Sequence, residues 1–267
     1  MTTPNAAVAV TLAIGGHDPS GGAGIQADIE SITALGGYAT SAITSLTIQD
    51  TCNVQQLIPV DPEVVVAQAE AVLDDLPVNA IKIGLVGSAA VAHALAGLLK
   101  KHPDIPVVLD PVLAAGGGRS LASDALRQTL LQELLPLASL VTPNSQEART
   151  LASASDLSHC AEILLQHGCQ QLLITGAHEE SSEVINTLYD QKGGVDRWQW
   201  PRLPGEYHGS GCTLAAAIAT LLAQGQSLAD AVYSAQGFAW QSLADAYTLG
   251  RGQALPNRFH SLRQHSA

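Results

Sequence analysis

The sequence predicts an α/β fold: a mostly parallel central sheet flanked by helices, with an antiparallel hairpin at one edge. Two observations support this. Short, almost continuously apolar runs recur along the chain and alternate with longer helix-like stretches, the pattern of strands buried on both faces of a parallel sheet. One segment, Glu183–Pro201, breaks that rhythm with a two-residue alternation around a turn, as an antiparallel pair does. Apolar residues make up 46% of the 267, yet aromatics only 4%, so the core must be built mainly from Ala, Val, Leu and Ile.

In chain order, strands are expected at Ala7–Ile14, Ala42–Ile48, Ala80–Val86, Pro106–Leu109, Ser139–Thr142 and Gln171–Thr175. Helices are expected at Ala23–Leu35, Pro62–Leu76, Ser88–Lys101, Ser123–Leu135, Ser145–Ala152, His159–His167, Cys212–Gln224 and Leu228–Tyr247. Pro62 and Pro143 stand near helix starts, where a missing N–H costs least. In the hairpin, Val184–Tyr189 and Val195–Trp200 flank the turn Asp190-Gln191-Lys192-Gly193-Gly194. No repeat, low-complexity tract or linker divides residues 1–267, which read as one domain.

A net charge of −12 argues against nucleic acid, because no basic surface is available to replace counterions. The only lysines are Lys82, Lys100, Lys101 and Lys192, so an anionic substrate would have to be held largely by backbone amides and a metal ion. Cys52, Cys160, Cys169 and Cys212 form no C-x-x-C pair, and the nine histidines no H-E-x-x-H. Met1–Asn5 lacks a basic leader, and the apolar run Ala6–Ile14 is too short to span a bilayer. A cytoplasmic protein with reduced thiols, bound to no membrane, is the expectation.

The most informative stretch is His208-Gly209-Ser210-Gly211-Cys212-Thr213-Leu214, running into an alanine-rich helix. Two glycines allow a sharp bend, and the helix after them aims unpaired N–H groups and the positive end of its dipole at one point, a site for an anion. The Cys212 thiol at that mouth is expected to lean toward thiolate. A helix cap with a small buried cysteine fits the same residues.

Gly15–Gly24 follows the first strand and precedes the first helix, where α/β proteins bind ligands. Its G-x-G-x-x-A match is too far from the strand for a dinucleotide fingerprint, and no Lys-Ser/Thr pair makes a Walker loop. His17 and His208 lie on the two glycine loops. Asp28, in the first helix, is either a pocket residue or a dipole partner. Gln49 ends the second strand, where its amide can read a ring with donor and acceptor edges. Asn144 and Glu147 have capping-box spacing. The same pair, with Asp110 at a neighbouring strand end, also suits Mg²⁺ beside a nucleotide phosphate.

These stretches together make the chain resemble the hydroxymethylpyrimidine/phosphomethylpyrimidine kinases of thiamine biosynthesis, in the ribokinase-like superfamily. The matching segments are Ala13–Asp28 with D-P-S-G-G-A-G-I-Q-A-D, Ile43–Thr51 ending I-Q-D-T, Lys82-Ile83-Gly84, Leu109-Asp110-Pro111-Val112, Thr142 through Glu147, and His208–Leu214. They occur in family order over nearly the whole chain.

The resemblance implies a ribokinase-like three-layer fold and ATP-dependent phosphorylation of 4-amino-5-hydroxymethyl-2-methylpyrimidine, then of its monophosphate, with a homodimer as the suggested assembly. It implies that Gly16, Asp28, Thr47, Gln49 and Leu85 line the pyrimidine pocket. Cys212 would be the base, and the Gly209, Ser210, Gly211 and Cys212 amides the anion hole. Asp110, Asn144 and Glu147 would organise Mg²⁺ and the phosphates. Two departures stand out: Thr175-Gly176-Ala177-His178 replaces K-G-G-H, and Leu113–Arg119 replaces a lysine-containing stretch. Thr175 therefore stands at the nucleotide without the family's charge, and Arg119 is the expected substitute cation. A pyridoxal kinase and a non-catalytic pyrimidine-binding module are the alternative readings.

Overall fold

The computed structural model describes residues 8–119 and 121–263. A nine-stranded sheet runs β3-β2-β1-β4-β5-β6-β7-β8-β9. Its strands are β1 (Val10–His17), β2 (Tyr38–Gln49), β3 (Val54–Pro59), β4 (Val78–Ile83), β5 (Val107–Leu109), β6 (Leu140–Val141), β7 (Gln171–Ile174), β8 (Glu183–Asp190) and β9 (Val195–Pro201). Pairing is parallel from β2 through β7. It is antiparallel at both ends, β2–β3 and β7–β8–β9. The expected hairpin is therefore present, and β3 adds a second antiparallel edge that the sequence reading lacked. Val-Gln-Gln-Leu-Ile-Pro carries two adjacent glutamines and ends in a proline, a composition tolerated at a sheet edge and weak as a strand signal. The expected start of the first strand at Ala7 lies outside the described residues.

Helices cover both faces. Helices α2 (Pro62–Asp75), α3 (Ala89–Leu99), α4 (Asp124–Thr129), α5 (Ser145–Ala152) and α6 (Leu157–Gln166) pack on one face, over Leu12, Ile14, Ile81, Ile83, Leu109 and Val141. The other face carries α1 (Gly24–Ala34), α7 (Ser210–Ala223) and α8 (Leu228–Ala244), over Ala13, Ala80, Val108, Leu140 and Leu173. Alternation along β4 and β5 then places Lys82 and Asp110 on the α7 side, at the carboxyl ends of their strands.

Local chemistry sets the helix starts. Asp61, Ser88, Ser123 and Ser227 each accept a first-turn N–H, and Pro62 opens α2. The helix expected at Ser123–Leu135 is α4 continued as a π turn over Leu130–Leu134 and a 3₁₀ turn over Leu135–Leu137. Pro136 has no N–H for the α ladder, which is the physical reason the regular helix stops short. Among the described residues no helix is long and apolar enough to cross a membrane.

Candidate active site

Two glycine loops meet over the carboxyl ends of β1, β4 and β5. Gly209 caps α7 with φ +79, and a Cβ there would strike Gly22 O. Gly24 opens α1 with φ +58, and a Cβ there would strike Gly16 O. Only glycine allows both the left-handed backbone and that closeness. Gly209 offers no side-chain cap, so the first-turn N–H groups of Ser210, Gly211 and Cys212 remain open for an anion.

The loop before α1 is held by Asp18. Its Oδ1 accepts Ser20 N–H at 2.8 Å and Ser20 Oγ–H at 2.7 Å. Its Oδ2 accepts Ala23 N–H at 2.8 Å and pairs with His208 Nε2 at 2.8 Å. Burial pushes the Asp18 carboxyl up, but the hydrogen bonds of His208 and Ser20 outweigh it and bring it down to about 2. From the carboxyl-terminal segment, buried Arg258 donates to Thr213 Oγ1 at 2.9 Å, Glu30 Oε2 at 2.9 Å and Gly22 O at 2.5 Å. Thr213 Oγ1 in turn donates to Gly209 O at 2.9 Å. One guanidinium thus ties the first turn of α7 to the Gly21–Gly24 loop.

Beneath the loops, Lys82 Nζ reaches Asp28 Oδ1 at 2.7 Å and Oδ2 at 2.9 Å, both side chains at most 1% exposed. Burial opposes the lysine's charge, yet Asp28, Cys212 and Asp110 around it hold it above its ordinary range. With both carboxylate oxygens on the ammonium, the pair is ionised. Both oxygens of Asp28 are therefore engaged by Lys82. Desolvation pushes the Cys212 thiol up to about 12; Asp110 and Asp28 add to that, while Lys82 and the Gly24 N–H oppose it. The expectation of a thiolate is corrected here: in the free protein the helix field loses to burial beside two carboxylates.

Asp110 sits against Gly211, its two oxygens 3.8 and 3.9 Å from where a Gly211 Cβ would stand. Burial, opposed by Lys82 and aided by Asp28, raises Asp110 to about 6. Its Oδ2 is buried and has no hydrogen-bond partner among the described residues. Glu147 is raised to about 8 by burial and then by the Asp110 charge. Its oxygens accept Asn144 N–H at 3.0 Å and Leu113 N–H at 3.3 Å. Asn144 Oδ1 accepts Gln146 N–H and Glu147 N–H, both at 2.9 Å. The capping box is thus fully formed, and the Asn144 amide oxygen is committed to α5 rather than left for a metal.

An orphan carboxylate oxygen beside a second, protonation-prone carboxyl fits a hard cation with oxygen ligands. Mg²⁺ typically takes one or two carboxylates and completes its shell with water and substrate phosphates. Among the described residues no group of three or more His, Cys, Asp or Glu side chains could hold a metal.

The remaining expected residues divide. Gly16 lies beside Leu85, and Thr47 Oγ1 donates to His17 O at 2.8 Å. Gln49 borders a narrow cleft at the rim with Asn53, Gly116, His208 and Gln253. A larger recess of about 370 Å³, lined by Cys52, Gly117, Glu206, Arg251, Gly252 and Gln253, lies on this rim rather than at Cys212. Thr175 bridges Asn144, its N–H bonded to Pro143 O at 3.0 Å. Arg149 on α5 is spent on Glu179 at 2.6 and 2.9 Å. Arg119 departs from the expectation: its guanidinium donates to the Val54 and Gln55 carbonyls on edge strand β3.

Asp18 and Arg258 were not among the expected site residues. Lys82 figured only inside a motif, although a lysine in the apolar run Ala80–Ile83 was a readable signal.

Residues 18–257 match the phosphomethylpyrimidine kinase family. Hydroxymethylpyrimidine/phosphomethylpyrimidine kinase from Salmonella typhimurium is 38% identical over 259 residues, covering 94% of this chain and 97% of the relative. The Bacillus subtilis pyridoxal kinase solved with ADP superposes with a TM-score of 0.88 at 28% identity, covering 96% of this chain and 99% of that one. Phosphomethylpyrimidine kinase from Clostridium difficile superposes with a TM-score of 0.76 at 32% identity, over 86% and 97% of the two chains. With the family match spanning nearly the whole sequence and the glycine loops, Asp110 and Cys212 gathered at one point, this chain belongs to the phosphomethylpyrimidine kinase family.

Proposed function

We propose that the chain carries the terminal phosphoryl group of ATP to the hydroxymethyl oxygen of 4-amino-5-hydroxymethyl-2-methylpyrimidine, and then to the monophosphate formed, as a step of thiamine biosynthesis. The observation that carries this reading is the convergence of the open first turn of α7 with Cys212 and the partnerless Asp110 oxygen. Phosphoryl transfer needs little covalent help and much positioning and charge neutralisation, and this corner offers both.

In this reading Gly16, Thr47, Gln49 and Leu85 surround the ring, and Asp28 anchors Lys82 under the floor. The Ser210, Gly211 and Cys212 amides, released by the Gly209 hinge, receive the charge on the transferring group. Asn144 and Thr175 border the nucleotide phosphates. Asp110 and Glu147 are the residues that would hold Mg²⁺, which supplies positive charge against the phosphate oxygens and the two carboxylates. Cys212 Sγ stands at the alcohol oxygen as a hydrogen-bonding thiol. It takes up the alcohol proton only as a thiolate, a state favoured by anything that neutralises Asp110.

Coupled ATP consumption with the pyrimidine alcohol, and separately with its monophosphate, tests the activity. No ADP from either would refute it, and ligand binding without ADP would leave a binding module. The closer superposition on a pyridoxal kinase favours one second reading, phosphorylation of pyridoxal. A substrate panel at fixed ATP decides between them. A cytoplasmic homodimer is the proposed setting; sedimentation of the purified protein checks the assembly.

A further inference from the structure

Ser45 lies on β2, is fully buried, and its Oγ has no hydrogen-bond partner among the described residues. A buried hydroxyl in that state forfeits its hydration without compensation, so each such group calls for an explanation.

Its position supplies one. Along β2, Leu46 and Ile48 are exposed while Ser45 and Thr47 are buried, so Ser45 shares its face with Thr47 and, two residues further, Gln49. Ser45 is also the register partner of Gly16 on β1. A Cβ on Gly16 would lie 2.7 Å from Ser45 Oγ and 2.9 Å from Leu85 Cδ2. Gly16 is not among the glycines with positive φ, so space rather than a turn accounts for its lack of a side chain. The bare backbone at Gly16 leaves the hydroxyl and the Leu85 methyl facing one point. Leu85 is the partly exposed member of the two, and a rotamer change there uncovers the hydroxyl at modest cost.

We propose that Ser45 is a specificity-determining residue: with Leu85 turned aside, its hydroxyl hydrogen-bonds a heteroatom of the aminopyrimidine ring. This rests on the pyrimidine kinase reading above. Gly16 and Leu85, which meet at Ser45, are placed around the ring there, and Thr47 and Gln49 share the same face of β2; an apolar rim with one convergent hydroxyl is how such pockets fix a ring's orientation. Discrimination follows from chemistry, because a site built to hydrogen-bond a polar edge rejects analogues lacking that edge.

The test is Ser45→Ala, compared with the wild-type protein by calorimetric titration of the pyrimidine alcohol, by steady-state kinetics and by thermal unfolding. The pyrimidine Kd and KM are expected to rise about tenfold, as for one lost hydrogen bond. The KM for ATP and kcat should stay within about twofold, and the unliganded Tm should hold or rise, since the variant removes an orphan hydroxyl. A pyrimidine Kd unchanged in the variant overturns the proposal, and a lowered Tm beside it would assign the hydroxyl to packing. If the wild-type protein itself does not bind the pyrimidine, the activity reading falls and this one with it. If the wild type binds but does not turn over, only the activity reading falls, and the Kd comparison still judges Ser45.

Discussion

On the α1 side of the site every buried charge is matched. Asp18 receives Ser20 twice, Ala23 and His208, and Asp28 holds Lys82 through both oxygens. On the β5–α5 side the opposite holds. Asp110 keeps an oxygen without a partner among the described residues, and its charge adds to the cost of ionising Glu147. The matched side spends its charges on keeping two glycine loops together. The unmatched side leaves negative charge where a ligand's cation can lower the energy, as preorganised sites do. The matched side is thus scaffold and the unmatched side the proposed reaction centre, and substitutions should separate them.

The largest effect is expected on the matched side. Lys82→Met strands Asp28 in a dry interior, which costs about 3–5 kcal/mol of folding stability, measured as a shift in the urea midpoint. A loss under about 1 kcal/mol would mean that water reaches Asp28 and that the pair is not scaffold.

On the unmatched side the expectation reverses. Asp110→Asn should lower kcat by roughly a hundredfold or more, yet leave Tm unchanged or higher, because it removes a strained charge and keeps the shape. Cys212→Ala should also cut turnover while leaving pyrimidine binding nearly intact. Near-normal turnover in the cysteine variant would assign the thiol to packing, and a Tm drop in Asp110→Asn would show that side to be scaffold as well.

The same contrast explains what was legible in the sequence. The strands β1, β2, β4 and β7 and the glycine loops were readable, because burial on both faces and left-handed backbone leave marks in residue type. Cys212, Asp110 and Glu147 stand out in the sequence by their places at strand and helix ends, and the structure brings their charges within reach of one another. Edge strand β3 left no such mark, since two adjacent glutamines and a closing proline look like a loop. The sequence leaves Asp28 open between a pocket residue and a dipole partner; its ion pair with Lys82 is hidden because the two lie 54 positions apart, a separation that no local pattern encodes. Arg258 was missed for the same reason: its partners Gly22, Glu30 and Thr213 come from distant segments. The thiol's protonation depended on three charges from separate strands and helices, so the helix start alone gave the wrong sign.

A smaller effect separates the two sides by pH. Asp18 is held down to about 2 from an ordinary 3.8. A depressed carboxyl stabilises the fold fully above its unfolded value and loses that contribution as pH falls through the folded one. About 2 kcal/mol should therefore disappear between roughly pH 4 and pH 2. Asp18→Asn should lack that portion of the acid dependence, seen in urea titrations across the range. An unaltered profile would place the acid sensitivity in other carboxyls and weaken the case for Asp18 as the loop's anchor.

The smallest effect belongs to Arg119, and it bears on how the chain manages without the family's lysine at Thr175. The guanidinium sits on two β3 carbonyls at the exposed edge, where hydrogen bonds compete with water and contribute little. Arg119→Ala should therefore leave kcat and the KM for ATP within about twofold and move Tm by no more than about 2 °C. That outcome would leave phosphate charge to the α7 amides and to the cation proposed for Asp110 and Glu147. A hundredfold fall in kcat would instead mean that Arg119 leaves β3 when nucleotide binds, and that the unmatched side of the site is completed from the sheet edge.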